Sequence, residues 1–382
     1  MSDGPTIFIT AADVSGDVHA AGLIEELRRR LPAARCVGIG GQAMAQAGCE
    51  LLDEPVRRAS MATGAFAHLW YFHKLIRRTR RAMAEARPDV HVPVDSPALN
   101  WHLARAARKI GTPVMYYIAP QVWAWARWRV RRLARLTDAV ACILPFEVDY
   151  LRTRGVNAHF VGHPLFDRLP QAYPPDLDQA AAGGNWRIAL LPGSREGEIR
   201  SHAPALAAVA GRLARRWPRA ELVFTALGPT AAEMIRQACP GNDLPIEVGN
   251  TSQVLARSHF AVAASGTVTV QAAHFGVPMV IFYRVRKWAY RLLGRWLIRT
   301  PFLSLVNILA GKGLVPELMP WYGDAGALGE AAEAMLDDLP ALKRTREELL
   351  GLVVPLRADP PATAAGNAAE LVIATMNQAR GA

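Results

Sequence analysis

Three short turns carry residue types able to do chemistry. In one, the apolar residues 188–191 run into Pro192, Gly193, Ser194 and Arg195, and a charged, helix-like segment follows. A helix start leaves backbone N–H groups without intrahelical partners and with partial positive charge, so an anion placed there finds donors ready. Gly193 lets a ligand approach closely, Ser194 can cap the helix or bond a phosphate, and Arg195 offers a planar fork of donors. An ordinary capped helix with a solvent-facing arginine is the alternative, and this stretch alone does not separate the two. The other two turns are "ASGT", with Ser265, Gly266 and Thr267, and "DVSGD", with Ser15 and Gly16. Each also fits simple helix capping. Two of the three fall in the second half of the chain, which favours that half as the phosphate holder. None matches a P-loop or a full dinucleotide fingerprint, which counts against ATP hydrolysis and hydride transfer.

One carboxylate stands out. In "VPVDSPALN", Asp95 follows an apolar strand, has Pro97 two residues later and precedes Asn100 and a helix. A lone carboxylate projecting into a cleft suits general-base work on a hydroxyl; helix capping is the competing reading.

Such residues need elements to hold them. "TIFIT" reads as a buried strand, "AADVSGD" as a turn, "VHAAGLIEELRRRL" as a helix and "ARCVGIGG" as the next strand, a unit that implies a parallel sheet. The pattern continues to "AHFVGHPLFD", breaks at a proline- and alanine-rich interval, and restarts at "WRIALLPGSR". The expected architecture is α/β: two doubly wound Rossmann-like domains facing across a cleft, with ligands beyond the carboxyl ends of the strands. The boundaries read as 1–167 for the first domain, 168–185 for a linker, 186–345 for the second and 346–382 for a C-terminal helical segment.

Composition agrees with a globular chain: 382 residues, 51% hydrophobic and 20% charged, are enough for two cores. No signal peptide is apparent at the start, so the chain reads as cytoplasmic. The four cysteines, Cys36, Cys49, Cys142 and Cys239, are too scattered for a metal site, and no metal or cofactor is expected. A net charge of +11, from 44 basic against 33 acidic residues, calls for an anionic partner: nucleic acid, phospholipid or substrate.

Two segments bear on that choice. In one, Lys74, Arg77, Arg78 and Arg81 share a helical face behind Leu69, Trp70 and Phe72; in the other, Lys287, Arg291, Arg295 and Arg299 recur every fourth residue beside Trp288, Leu292 and Trp296. Basic residues flanking tryptophan and leucine describe a helix lying in a membrane interface, and a core-facing helix with a solvated basic side is the alternative. Together they favour an anionic membrane surface. "YIAPQVWAWARWRVRRLARLTD" interleaves tryptophan with arginine, which also occurs in single-strand nucleic-acid binding. No nucleic-acid module accompanies it, so a buried tryptophan cluster is preferred and no nucleic acid is expected.

In order, "AADVSGD", "VGIGGQAMAQAGCE", "PVDSPALN", "YIAPQVWAWARWRV", "VGHPL", "LLPGSREGEI", "ASGTVTVQAA" and "SLVNILAGKGLVPEL" resemble the lipid-A-disaccharide synthase family over about positions 7 to 318. The resemblance implies a GT-B, inverting glycosyltransferase. Its donor would be UDP-2,3-diacylglucosamine and its acceptor 2,3-diacylglucosamine 1-phosphate. The β-1,6-linked disaccharide and UDP would form without a metal, at the inner face of the inner membrane. It leaves oligomeric state open. Asp95 matches the family's proposed general base and Arg195 the arginine on the donor phosphates. Ser265, Gly266, Thr267, Gln271 and Asn307 are expected on the donor side with Gly193 and Ser194. Ser15, Gly16, Asn100 and Trp123 are expected on the acceptor side of the cleft. The chain departs from the family pattern at Ala12, Asp13, Ala67, Ala98, Gln271 and Pro320. Those departures keep two alternatives open: a relative with a changed lipid or sugar acceptor, and a non-catalytic protein that binds lipid or UDP-sugar.

Overall fold

The computed structural model describes residues 4–55, 65–124, 127–284 and 301–381. The chain forms two compact units, Met1–Arg168 with Pro355–Ala382, and Leu169–Val354.

The first unit is built on seven parallel strands: β1 (Thr6–Thr10), β2 (Arg35–Ile39), β3 (Glu50–Asp53), β4 (Val90–Pro93), β5 (Met115–Tyr117), β6 (Ala139–Cys142) and β7 (Ala158–Phe160). They run in the order β3-β2-β1-β4 and β5-β6-β7, and the bridges His91 to Val114 and Val94 to Tyr117 join the two runs. Both faces of β1 are covered, which is why it reads as an unbroken apolar run. Ile7 and Ile9 pack with Leu23, Ile24 and Leu27 of the helix Val14–Arg30 and with Val372 and Met376 of the helix Ala364–Arg380. Phe8, pointing the other way, meets Leu103 and Ala107 of the helix Pro97–Lys109 and Leu75 and Met83 of the helix Ala65–Ala86.

The second unit repeats the design with β8 (Arg187–Leu191), β9 (Glu221–Ala226), β10 (Ile246–Val248), β11 (Phe260–Ala264), β12 (Met279–Arg284) and β13 (Glu317–Trp321). Their order is β10-β9-β8-β11-β12-β13, all parallel. Its core centres on Ile188, Leu190, Phe224 and Val262, with Leu206, Val209 and Leu213 of the helix Glu196–Arg216.

In both units the strand order reverses beside the first strand, between β1 and β4 and between β8 and β11. Ligands of such sheets bind in the crevice outside the carboxyl ends at that point. The turns after β1 and β4 hold Asp13 to Gly16 and Asp95; those after β8 and β11 hold Gly193 to Arg195 and Ser265 to Thr267.

Two boundaries differ from the sequence reading. Within 168–185, the helix Leu177–Gly183 is capped by Asp176, whose Oδ1 accepts from the N–H groups of Asp178 (2.7 Å) and Gln179 (3.2 Å). Leu177 and Ala180 are buried in the second core, so this interval is part of that unit. Within 346–382, the helix Leu339–Leu352 ends the second unit, whereas Ala364–Arg380 completes the first.

Candidate functional site

After β4 the chain passes through Asp95 and Ser96, both left-handed, with φ 45° and 43°. Two such residues in succession require outside restraint. Asn100 supplies it. Fully buried one turn into the helix, it donates through Nδ2 to the carbonyls of Asp95 (2.8 Å), Val94 (3.1 Å) and Thr10 (3.3 Å) and accepts from Thr10 Oγ1 at 2.8 Å. The Tyr116 hydroxyl donates to the same Asp95 carbonyl at 2.7 Å, and the Asp95 N–H donates to the Tyr117 carbonyl at 3.0 Å. Burial first, then the Asp95 charge, push the Tyr116 phenol well above its usual pKa, so it remains a donor. The half-buried Asp95 carboxyl is therefore carried on backbone fixed from both sides. It is not the helix cap, for Ser96 occupies that position.

Ser96 Oγ donates to Asp13 Oδ2 at 2.5 Å, while Asp13 Oδ1 accepts from the Gly16 N–H at 2.6 Å. Asp13, where the family carries glutamate, thus caps the helix Val14–Arg30 and ties the β1 turn to the β4 turn. Gly16 has little room, since an added Cβ would lie 3.1 Å from Asp13 Oδ1. Ser15 is exposed beside it. Ile118, after β5, is also left-handed at φ 63°, so the strained residues gather at the carboxyl ends of adjacent strands.

Two residues expected on the acceptor side have other work. Asn100 has no solvent-exposed surface, and its amide is spent on backbone and Thr10. Trp123 is 7% exposed, its Nε1–H donates to Glu147 Oε1 at 2.8 Å, and its ring meets Phe146 edge-on at 4.9 Å. The polar atoms of both face inward, Asn100 holding the Asp95 backbone and Trp123 the Glu147 carboxyl. Glu147 was not foreseen. Burial raises its pKa to about 7, against the opposing hydrogen bonds from Trp123 and the backbone.

In the second unit, the turn after β8 converges on a carboxylate. Glu198 Oε2 accepts from the N–H groups of Ser194 (3.1 Å) and Arg195 (3.2 Å), and its Oε1 accepts from the Arg195 guanidinium (2.8 Å) and the Tyr283 hydroxyl (3.2 Å). Burial pushes Glu198 toward the neutral acid, but the Arg195 and Ser194 donors together outweigh it and leave the pKa lowered. Gly193 has φ 105°, and an added Cβ would come within 2.6 Å of Glu198 Oε2. Behind the turn, buried His202 bridges the Pro192 carbonyl (2.8 Å) and the Arg284 N–H (3.2 Å), joining the ends of β8 and β12. Ser194 and Arg195 are exposed.

Across the order reversal, Gly266 and Thr267 are exposed at the start of the helix Thr267–His274, and Ser265 is half-buried. On the same helix, Gln271 donates through Nε2 to Ser252 Oγ at 2.7 Å, which leaves its carbonyl oxygen to accept. Asn307, expected on the donor, is 1% exposed. Its amide exchanges hydrogen bonds with Val315 (3.0 and 3.1 Å) and donates to Glu317 Oε2 at 3.1 Å. Glu317 also accepts from the backbone of Leu303 and Ser304 and the Ser304 hydroxyl, so this pair fastens the segment ahead of β13. Asn307 is a clamp, a role no local motif announces because its partners lie eight and ten residues on.

Of the membrane candidates, Lys287, Trp288, Arg291, Arg295 and Trp296 lie outside the described residues. In the helix Ala65–Ala86, Leu75 and Met83 are buried, and Phe72 is half-buried against the same core. Trp70 is 68% exposed with Lys74 over its ring, and Arg77 and Arg78 are exposed. Arg78 pairs with Asp53 at 3.0 Å. The helix therefore covers the core and turns a basic face with one indole outward. Among the described residues no helix is long and apolar enough to cross a membrane. The four cysteines are buried, and burial pushes Cys36 up to about 11 and Cys49 up to about 12, so both are held as thiols.

A family model for lipid-A-disaccharide synthetase matches residues 7–348. The lipid-A-disaccharide synthase of Myxococcus xanthus (strain DK1622) is 38% identical over 326 residues, 84% of this chain and 85% of that one. The enzyme of the same name from Geobacter sulfurreducens is 35% identical over 349 residues, covering 90% and 91%. Among solved structures, Arabidopsis thaliana UGT89C1 complexed with quercetin matches with a TM-score of 0.63 at 13% identity, over 98% of this chain and 100% of that chain. UDP-GlcNAc 2-epimerase from Neisseria meningitidis bound to UDP-GlcNAc matches with a TM-score of 0.61 at 12% identity, over 98% and 99%. At such identities the likeness concerns the fold, which is GT-B.

Proposed function

The chain belongs to the lipid-A-disaccharide synthetase family, and on that premise we propose that it joins UDP-2,3-diacylglucosamine to 2,3-diacylglucosamine 1-phosphate with inversion. The products are the β-1,6-linked disaccharide 1-phosphate and UDP. That the protein is a hexosyltransferase forming a lipid A disaccharide follows from the family itself.

The observation that carries the donor half is the carboxylate of Glu198 held by Ser194 N–H, Arg195 N–H and the Arg195 guanidinium. Groups that converge on one anion suit another, and a diphosphate leaving group needs positive charge as it departs. The donor's phosphates take those donors, with Gly193 allowing close approach and the turn Ser265, Gly266 and Thr267 facing the nucleotide. Gln271 accepts from the ribose hydroxyls through its carbonyl oxygen. On the acceptor half, Asp95 takes the proton of the primary hydroxyl. The freed oxygen pair attacks the anomeric carbon from the face opposite the diphosphate, the carbon–oxygen bond to UDP breaks, and the configuration inverts. Asn100 and Tyr116 aim Asp95 by holding its backbone, and the Ser15–Gly16 turn lies next to the acceptor.

Both substrates carry acyl chains, and the exposed basic face with Trp70, Lys74, Arg77 and Arg78 supports encounter at an anionic membrane surface, on the cytoplasmic side of the inner membrane. Incubation with both acylated substrates tests the proposal: UDP release that requires the acceptor, with a product of the summed mass, is expected. UDP binding without turnover would identify a non-catalytic binding protein. Turnover only with another acceptor would identify a diverged transferase.

A further inference from the structure

The tryptophan- and arginine-rich stretch after β5 is not used by the chemistry above. Part of it forms a cavity of about 420 Å³ lined by Arg105, Trp128, Arg132, Arg135 and Leu136. Arg105 comes from the helix Pro97–Lys109; Arg132 and Arg135, three residues apart, come from the helix Val130–Leu136. All three arginines line one hollow, and no carboxylate pairs with any of them among the described residues, though Arg135 Nε donates to the Arg131 carbonyl at 3.2 Å. Elsewhere on the same helices carboxylates do appear, as where Arg108 meets Asp138 at 2.6 Å. Arg132 lies over the buried Trp101 ring, 5.0 Å from its centroid, and its Nε is buried without a hydrogen-bond partner. Burial holds Arg132 below its usual pKa, and the neighbouring charges acting on it, Arg105 and Arg129, are positive. His102 is lowered by burial and then by Arg132, Arg105 and Arg80. Like charges kept together around an unpartnered donor are unfavourable unless an anion joins them.

We propose that this cavity binds a phosphate monoester carried on an amphiphile, with Arg105, Arg132 and Arg135 on the phosphate and the Trp128 indole against the adjoining apolar or sugar surface. Guanidinium forks match phosphate oxygens in pairs, and a monoester offers three such oxygens and up to two charges where a diester offers two oxygens and one charge. Trp128, 68% exposed and with the Arg129 guanidinium 5.4 Å from its ring centroid, lines the cavity with an apolar plane, and Leu136 supplies an apolar wall. Among the described residues one exposed ring stands beside this basic hollow, which suits a single headgroup. A nucleic-acid strand would need successive stacking rings along a basic track. Two sources share this chemistry: the phosphate of a membrane lipid and the phosphate of the acylated acceptor. The second source rests on the function proposed above; the first does not.

The test compares the full chain with the triple variant Arg105→Gln, Arg132→Gln and Arg135→Gln, and with a control carrying Lys109→Gln and Arg131→Gln, charges on the same two helices outside the cavity. Phosphatidylcholine vesicles containing phosphatidic acid or phosphatidylglycerol separate monoester from diester. Calorimetry with inorganic phosphate and with glucosamine 1-phosphate probes the headgroup alone; near-ultraviolet circular dichroism and cooperative unfolding report whether the first unit of the variant is folded, and UDP binding reports on the second. If a membrane lipid is the source, the wild type and control prefer phosphatidic acid vesicles at least ~10-fold, and the triple variant loses about 100-fold in affinity for them. If the acceptor is the source, the triple variant raises the acceptor KM at least ~10-fold with kcat within about threefold, and glucosamine 1-phosphate binding is lost. Failure of the transferase reaction itself would remove only that arm and leave the vesicle and calorimetric measurements standing. The proposal is overturned if the triple variant, still binding UDP normally, matches the control in every phosphate measurement. Equal loss of phosphatidic acid and phosphatidylglycerol binding would also overturn it, as would salt-sensitive binding of single-stranded nucleic acid in its place.

Discussion

In the proposed reaction Asp95 is the general base, and its substitution is the direct test of that role. Its backbone is fixed by Asn100, Tyr116 and Tyr117 through main-chain atoms, so Asp95→Asn leaves those bonds in place. Transfer should fall by ~100- to 10,000-fold, as for loss of a general base, while UDP binding and the unfolding midpoint stay near wild type. Near-normal turnover in a steady-state assay would remove Asp95 from the mechanism. Gln271 offers a second test. A carboxylate accepts ribose hydroxyls more strongly than an amide, and Ser252 can rotate its hydroxyl to donate where it now accepts. Gln271→Glu should tighten UDP up to ~10-fold by calorimetric titration; equal or weaker binding means the ribose lies elsewhere. Asp95 was legible as a candidate because it follows a strand at its carboxyl end; Gln271, inside the helix Thr267–His274, was named only through the family resemblance. The roles of Asn100 and Asn307 were not legible, because backbone partners carry no side-chain signature, and Asn100's link to Thr10 exists only once β1 and β4 are neighbours.

Among the elements, the helix Glu196–Arg216 begins with its own side chain in the place assigned to a diphosphate. If both anions use the same donors, Glu198 opposes the nucleotide. Glu198→Gln removes that charge while keeping one carbonyl acceptor, so UDP should bind several-fold tighter and the second unit should lose about 1 kcal/mol of stability. Unchanged UDP affinity with the same loss of stability would separate the turn from the diphosphate. The helix Pro145–Arg152 makes a prediction with pH. Glu147 in its first turn binds a proton more tightly folded, at about 7, than at its ordinary value of 4.5. The folded state therefore holds the extra proton between those values. The Glu147 contribution to the first unit is greatest below pH 4.5 and declines by on the order of 3 kcal/mol as pH rises through 7, whereas buried His19, His91 and His163, held below the usual histidine range by burial, act in the opposite direction. Denaturant unfolding of wild type and Glu147→Gln compared at each pH isolates this contribution: the wild type should lose stability relative to the variant as pH rises from 4.5 to 7, and a constant difference would remove Glu147 as its source. Element order was readable from the alternation of apolar runs and turns. The helix Leu177–Gly183 was missed because its alanines and the prolines ahead of it resemble a linker, and its fixing residues, Leu177 and Ala180, gain meaning only against the core they enter.

For the whole molecule, the chain's return is the decisive feature, and it was the least legible. The last 28 residues, Pro355–Ala382, belong with the first 168. A sequence shows an amphipathic helix at its end without showing which sheet receives it. Here Ala368, Ala369, Val372 and Met376 complete the face of β1 formed by Ile7, Ile9 and the helix Val14–Arg30. The start of the returning helix is fixed by Asp167, which accepts from the Ala364 and Ala365 N–H groups at 2.8 and 2.9 Å. Deleting 355–382 uncovers that face and strips several fully buried apolar side chains, each contributing about 1.5–3 kcal/mol for the larger ones, against a total stability of about 5–15 kcal/mol. The second unit has its own core, including Leu177 and Leu342, and loses none of it. A chain ending at Val354 should therefore keep a folded second unit that titrates with UDP like the full chain, while its first unit loses near-ultraviolet circular dichroism and cooperative unfolding. A single shared transition in which UDP binding disappears with the first unit would show instead that the two sheets depend on one another to fold.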